Sequence, residues 1–212
     1  MDGMAWRLSG TGPVQQSPVT CGSAALTVAR MLADPAFARW VVAGVGRDGG
    51  PPDGRGEQAR FAEYERVVMG RTNALVGSGG RLQLPWPRAL GTPPWGARRE
   101  LETLAAAGGS PYQLRLVRFA SAATLGATYR QLGHLVCDGR QALLYLGNAL
   151  APRHVTLVLP GDGDAVLDVY DPATGTVTAL DEDRYVTRRL ALAGWDVPWV
   201  LVHPADPDAS RR

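Results

Sequence analysis

The sequence predicts an α+β protein, with helices in its first half and an antiparallel sheet in its second half. Apolar residues recur at helical spacing through the stretch that starts at Cys21, whereas the chain after residue 140 breaks into short apolar runs of β type. Clusters of glycine, proline and aspartate separate those runs, as they do in β-hairpins. Helices followed by hairpin-linked strands are typical of α+β architecture.

The first half is predicted to contain four helical segments. The first begins at Cys21, with Thr20 as its N-cap and Asp34-Pro35 as its end. The others are expected at 37–45, 59–69 and 98–107, and two loops are expected at 46–58 and 76–98. Trp86 and Trp95 stand among prolines in the second loop, so they either pack this loop onto the body of the protein or line a substrate-binding wall.

The second half is predicted to contain one strand, then a helix, and then five further strands. The first strand is expected at 113–119 and the helix at 121–138. The remaining strands are expected at 142–146, 154–159, 165–170, 176–180 and 199–203, with hairpin loops at 160–164 and 171–175. We expect one domain over 1–212, made of a helical lobe at about 9–110, a sheet lobe at about 111–205 and a frayed tail at 206–212.

Composition excludes several classes of protein. The 212 residues are 45% hydrophobic, which is typical of a globular chain with a real core. All 22 basic residues are arginine, and 20 acidic residues leave a net charge of only +2, so we expect no nucleic-acid partner. No apolar run is long enough to span a membrane, and the N-terminus lacks the features of a signal peptide, so a cytoplasmic location is expected.

The two cysteines, Cys21 and Cys137, are too few for a disulfide scaffold. The ligand spacings of a structural zinc site are absent as well, and the sequence predicts neither a metal nor a cofactor. The oligomeric state stays open.

Cys21 is the most informative residue of the sequence, because it is expected to be the first residue of a helix. Helix N-termini carry partial positive charge and unpaired N–H groups, and both stabilise a thiolate. Gly22 beside it would allow a substrate backbone to approach closely. The alternative is that Cys21 is simply a small apolar residue buried in a helix.

Partners for a nucleophilic cysteine occur elsewhere in the chain. Gln15 and Gln16 lie six and five residues before Cys21, where a side-chain amide could stabilise an oxyanion together with the Cys21 backbone N–H. His154 begins one predicted strand, and Asp171 ends the next, 17 residues later. Adjacent antiparallel strands would bring the carboxylate to the imidazole and fix its tautomer.

Other residues of these types are expected to play no part in such a site. The alternation of the strand turns Asp168 away from the face of Asp171. Asn148 lies upstream of the histidine, and His134 is expected to be a structural residue of a helix. We expect His203 at the surface and Cys137 to be an inert thiol in the core.

Three stretches resemble the papain-like cysteine peptidases: Q-Q-S-P-V-T-C-G-S-A-A-L, R-H-V-T-L-V-L and V-L-D-V-Y-D-P-A-T-G. They are most similar to a bacterial branch related to the double-glycine leader peptidases of bacteriocin exporters. The resemblance covers about 12–33 and 140–203, and residues 34–110 have no counterpart. Ser23 stands where that branch often has proline after Cys-Gly.

The resemblance implies a papain-like fold in which the nucleophile helix packs on the sheet lobe. It also implies Cys21 as the nucleophile, His154 as general base and acid, and Asp171 as the orienting carboxylate. Gln15 or Gln16 would be the oxyanion donor, and the six-residue spacing favours Gln15.

Three functions are consistent with these observations. The first is a thiol hydrolase that cleaves a peptide or isopeptide bond of a peptide or protein substrate. The second is transglutaminase, deamidase or acyltransferase chemistry on the same residues, because an acyl-enzyme can react with an amine as well as with water. The third is a non-catalytic binding module that uses the Trp- and Pro-rich loop 76–98 as its contact surface.

Overall fold

The computed structural model describes residue 8 and residues 10–47, 49–104, 111–136, 140–160 and 167–206. Within these ranges the chain forms four helices, one strand, a fifth helix and then five strands interrupted by a sixth helix. The helices are α1 Cys21–Ala33, α2 Pro35–Ala43, α3 Glu57–Asn73, α4 Pro94–Leu104, α5 Ala122–Leu135 and α6 Glu182–Thr187. The strands are β1 Tyr112–Leu116, β2 Ala142–Gly147, β3 Pro152–Pro160, β4 Leu167–Asp171, β5 Thr176–Leu180 and β6 Val197–Pro204.

Helix α1 is the centre of the helical layer. Its first nine residues are all buried, and it contacts α2, α3, α4 and strand β3. Small residues such as Ala24, Ala25 and Ala29 allow these neighbours to approach its backbone. The chain turns at Asp34, whose side chain accepts hydrogen bonds from two N–H groups of α2. The first nine residues of α1 are therefore enclosed by the surrounding elements, whereas Ala33 at its end is exposed.

The six strands form one antiparallel sheet in the order β1-β6-β2-β3-β4-β5. One face packs against the helical layer through residues such as Leu143, Leu157 and Val202. The other face is covered by residues of α5 and α6, including Leu125 and Tyr185. The prediction of an α+β fold, with helices followed by an antiparallel sheet, is confirmed.

The segment before α1 crosses from the sheet to the helices. Val177 donates a backbone hydrogen bond to Gly10 (3.0 Å), and Gly12 donates one to Gly175 (2.6 Å). Gly175 has a φ of +71°, and a Cβ there would lie 2.5 Å from the Gly12 carbonyl oxygen, so the turn requires glycine. The crossing brings the residues that precede α1 to the turn between β4 and β5.

Most of the predicted elements are present, with shifted ends. Helix α3 extends beyond the predicted 59–69, and the sequence did not indicate this because the last turn of the helix is polar and lacks an apolar pattern. Helix α4 begins at Pro94, inside the predicted loop, because proline is well suited to a first helical turn. Helix α6 was not predicted; it is a short helix capped by the Asp181 side chain. The predicted helix end at 108–109, most of the 160–164 hairpin loop, the start of the 165–170 strand and nearly all of the tail lie outside the described residues.

Within the part of the chain that the structure describes, no helix combines the length and the apolar character needed to cross a membrane.

Candidate active site

Cys21 is the first residue of α1, as predicted, and its side chain is buried, with 5% of the residue exposed. Thr20 occupies the N-cap position, but its side chain makes no capping hydrogen bond to the first turn. Its hydroxyl instead donates to the Ser17 carbonyl (2.9 Å) and accepts from the Ser17 N–H (3.1 Å). The first-turn amides of α1, including that of Cys21, have no partner within the helix, so the positive end of the helix faces the thiol.

His154 and Asp171 form a buried hydrogen-bonded pair. The distance between His154 Nε2 and Asp171 Oδ1 is 2.8 Å, and both side chains are almost fully buried. Strands β3 and β4 are antiparallel neighbours, and this places the two residues diagonally across the ladder. The same Asp171 oxygen accepts the N–H of Ala173 (2.9 Å) in the turn that follows, and this holds the carboxylate toward the ring.

The Cys21 side chain also lies close enough to His154 to favour the charged form of the ring. Since Nε2 faces Asp171, Nδ1 is the ring nitrogen left for the thiol. Burial alone would lower the pKa of His154, but the hydrogen bond to Asp171 and the proximity of Cys21 outweigh it and raise that pKa to about 9. The imidazole is therefore protonated at neutral pH, with one N–H directed to each partner.

An NMR titration of the three histidine rings tests this electrostatic arrangement. We expect His154 to lose its proton near pH 9, and we expect Cys21→Ala or Asp171→Asn to lower that pKa, with roughly tenfold weaker proton binding, because each removes a group that favours the charged ring. Since the folded-state pKa is raised above 6.5, the stabilisation that His154 contributes is complete below that pH and disappears as the pH rises through about 9. A His154 signal that titrates near 6.5 and does not respond to either substitution would contradict the arrangement.

Gln15 lies in the loop that leads into α1, and its side chain is directed into the turn before Cys21. Its Nε2 donates to the Ser17 carbonyl (2.8 Å), and the same carbonyl accepts the N–H of Thr20 (3.1 Å). Its Oε1 is buried and has no hydrogen-bond partner among the described residues. One N–H of the amide is used by Ser17, so the second can serve another acceptor.

Gln16 has a different environment. Its side chain is exposed, and its Nε2 donates only to the Val14 carbonyl beside it (3.3 Å). The half-buried position of Gln15 and its hydrogen bond to the turn before α1 make it the better candidate for an oxyanion donor.

Gly22 is glycine for a reason other than the predicted approach of a substrate backbone. A Cβ at this position would lie 2.6 Å from Thr92 Cβ and 2.8 Å from Thr92 Oγ1. The Thr92 side chain fills this space, and the Thr92 carbonyl accepts a hydrogen bond from the Tyr145 hydroxyl (3.0 Å). Burial, together with the proximity of Cys21, raises the pKa of Tyr145. No local sequence pattern indicates Thr92 or Tyr145, because their contact with the cysteine segment depends on long-range packing.

Substitution of Gly22 by alanine tests this packing. The added methyl group would displace Thr92 or the start of α1, and we expect the free energy of unfolding to fall by about 1–3 kcal/mol. The double variant G22A/T92G removes the opposing side chain, and we expect it to recover much of the lost stability. Chemical denaturation of the three proteins measures the effect, and an equal loss in the single and double variants would show that the Gly22–Thr92 contact is not responsible.

The remaining candidates lie elsewhere. Asn148 caps the turn between β2 and β3 by accepting two backbone N–H groups, and His134 is exposed in the last turn of α5. The prediction of a surface position for His203 is wrong: it is buried because β6 is an interior strand, flanked by β1 and β2. Burial lowers the pKa of His203. Cys137 lies outside the described residues.

Among the residues that the structure describes, no group of three histidine, cysteine or carboxylate side chains is arranged to hold a metal ion.

Comparisons with known proteins find similarity to solved structures but none to curated sequences. The sequence matches no protein-family model, and no curated protein resembles it significantly. The crystal structure of the Pseudomonas avirulence protein AvrPphB superposes on this chain with a TM-score of 0.44 and 15% sequence identity, over 92% of this chain and 97% of that one. The resemblance to the double-glycine leader peptidases stays a prediction.

Proposed function

We propose that the protein is a cysteine-dependent hydrolase of papain-like fold that cleaves a peptide or isopeptide bond through an acyl-enzyme. Cys21 is the nucleophile, His154 the general base and acid, and Asp171 the residue that orients the ring. Gln15 and the Cys21 backbone N–H stabilise the oxyanion.

The arrangement of Cys21, His154 and Asp171 carries this proposal. The imidazole is hydrogen-bonded to a buried carboxylate at 2.8 Å, and the cysteine at the N-terminus of α1 lies close enough to raise the pKa of the same ring. A histidine with a purely structural role would not require a cysteine at a helix N-terminus beside it, and a cysteine without a chemical role would not require a charged neighbour. The combination is the arrangement by which proteins activate a sulfur nucleophile, and it counts against a non-catalytic binding module.

The chemistry follows from the positions of the protons. The Cys21 sulfur forms a bond to the substrate carbonyl carbon, and the carbonyl oxygen takes up the negative charge between Gln15 Nε2 and the Cys21 N–H. The C–N bond then breaks, and the His154 Nδ1 proton goes to the leaving amine. Water next gives a proton to His154 and attacks the thioester, which releases the acid and restores the Cys21 thiolate beside the protonated ring.

Helix α1 and the sheet supply opposite sides of this site. The nucleophile comes from the N-terminus of a helix buried in the helical layer, and the histidine and aspartate come from adjacent strands. The resemblance of the sequence motifs to papain-like peptidases agrees with this division. A peptide or protein is therefore the expected substrate class.

Mass spectrometry of products from a peptide library tests the reaction type. We expect the wild-type protein to cut peptide chains and Cys21→Ala to leave them intact. Conversion of glutamine to glutamate without scission would show that the same residues carry out deamidation instead of hydrolysis. The joining of an amine to glutamine would show that they carry out transglutamination. A wild-type protein that changes no peptide and is no more reactive to iodoacetamide at Cys21 than at Cys137 in mildly acidic solution would refute the proposal.

A further inference from the structure

Glu65 is a buried carboxylate that the proposed mechanism does not use. It lies in the middle of α3 and has 0% exposure, in a helix whose neighbouring Glu63 and Arg66 face solvent. Burial raises its pKa. A buried acidic side chain is costly unless it is hydrogen-bonded, so its contacts indicate what it stabilises.

Those contacts all belong to the segment that leads into α1. The Gln16 backbone N–H lies 3.3 Å from both Glu65 carboxylate oxygens. The Thr20 hydroxyl lies close to the same carboxylate and favours its charged form. Gln16 directly follows Gln15, and Thr20 directly precedes Cys21, so one carboxylate contacts the neighbours of both oxyanion donors.

Glu65 belongs to a set of contacts that fixes four consecutive residues, 13–16. The Pro13 carbonyl accepts the Tyr170 hydroxyl, and the Val14 carbonyl accepts Gln58 Nε2 at 2.7 Å. The Gln15 N–H donates to the Pro172 carbonyl at 2.8 Å, and Glu65 takes the N–H of Gln16. Glu65 and Gln58 are seven residues apart, on one face of α3.

The position of the Gln15 side chain depends on the same turn. Its amide donates to the Ser17 carbonyl, and the Thr20 N–H and hydroxyl donate to that carbonyl as well. Glu65 accepts the N–H of Gln16 before Ser17 and lies close to Thr20 after it. A displacement of Gln16 or Thr20 would therefore move the carbonyl that orients the Gln15 amide.

We propose that Glu65 is a positioning residue that holds the segment 15–20 so that the Gln15 amide and the Cys21 N–H converge on one oxyanion. This inference rests on the proposed function. Glu65 acts through Gln15 and has no contact with the substrate. A carboxylate suits this role because both of its oxygens lie 3.3 Å from the Gln16 N–H, whereas a glutamine offers only one acceptor oxygen.

The test uses 4-nitrophenyl acetate, a small ester with few demands on a specificity pocket. Attack of Cys21 forms a thioester and expels 4-nitrophenolate, and water then releases acetate. We expect Glu65→Gln to slow the acylation of Cys21 about 10-fold, a fraction of the 100-fold or greater loss that follows removal of an oxyanion donor. In a Gln15→Ala background the same substitution should cost less than about twofold, because the donor that Glu65 positions is already absent.

Two controls separate positioning from a general loss of stability. Glu100→Gln alters another buried carboxylate, which is hydrogen-bonded to Arg71 and Ser78 and has no partner in the segment 15–20. We expect it to lower the unfolding temperature without slowing acylation. Alkylation of Cys21 by iodoacetamide forms no oxyanion, so its rate in Glu65→Gln should equal that of the wild type.

The possible results distinguish the inference from the proposed function. If the wild type acylates no faster than Cys21→Ala, the proposed function fails, and the inference fails with it. If the wild type is active but Glu65→Gln acylates normally, or loses the same factor with and without Gln15, only the role of Glu65 is overturned. If Glu65→Gln does not fold, Glu65→Asp keeps the charge on a shorter side chain. A loss of acylation rate in Glu65→Asp that disappears in the Gln15→Ala background would then support the inference, and a loss of equal size in both backgrounds would overturn it.

Discussion

Replacement of Cys21 by alanine is expected to lower turnover by roughly ten-thousand-fold or more. The substitution removes the sulfur atom that forms the acyl-enzyme, and neither His154 nor Asp171 can replace it. Release of 4-nitrophenolate and scission of a peptide substrate both measure the effect. The fold should survive, because alanine is smaller than cysteine and suits a helix.

The second cysteine supplies the matched control. Cys137→Ala also removes one thiol, but we expect it to leave turnover within about twofold of the wild type, as for a residue without a part in the reaction. If the two alanine variants lost activity equally, Cys21 could not be assigned as the nucleophile.

Replacement of Gln15 by alanine is expected to lower kcat by about 100- to 1,000-fold, the usual cost of losing one oxyanion donor. Binding of the ground-state substrate should change little, because the negative charge on the oxygen develops only in the transition state. Steady-state kinetics with separate kcat and KM values would show this pattern.

The neighbouring residue Gln16 provides a matched control for this prediction. Gln16→Ala removes an amide of the same kind one residue away, but that amide is exposed and bonded only to Val14. The contact of Gln16 with Glu65 is made by its backbone N–H, which alanine retains. We therefore expect near-wild-type kinetics from Gln16→Ala, and a larger loss there than in Gln15→Ala would reverse the assignment.

The local pattern predicted the helix and strand order well, because each element has a strong signal of its own. Helix α1 is an apolar segment bounded by Thr20 and by Asp34-Pro35, and its predicted start agrees with the structure. Helix α6 has a polar sequence and a single buried residue, Tyr185, so no periodicity indicates it. Local pattern also failed for His203, since its burial depends on which strands flank β6.

Only those residues of the candidate site that belong to a local motif could be predicted from the sequence. Cys21 stands at the start of a predicted helix, and His154 and Asp171 stand at the beginning and end of consecutive predicted strands, so the pattern of elements indicated that the histidine and the aspartate would meet. Glu65 and Thr92 contact the segment around Cys21 from α3 and from the loop before α4. Their sequence neighbours give no indication of this, because only tertiary packing brings them there.

The most direct measurement is the mass of the protein during turnover of 4-nitrophenyl acetate, after an acid quench and digestion. We expect one acetyl group on the peptide that contains Cys21, none on the peptide that contains Cys137, and far less acetylation of Cys21 in His154→Gln. Equal acetylation of both cysteines, or acetylation of Cys21 at the same rate without His154, would show that His154 and Asp171 do not activate Cys21 as a nucleophile.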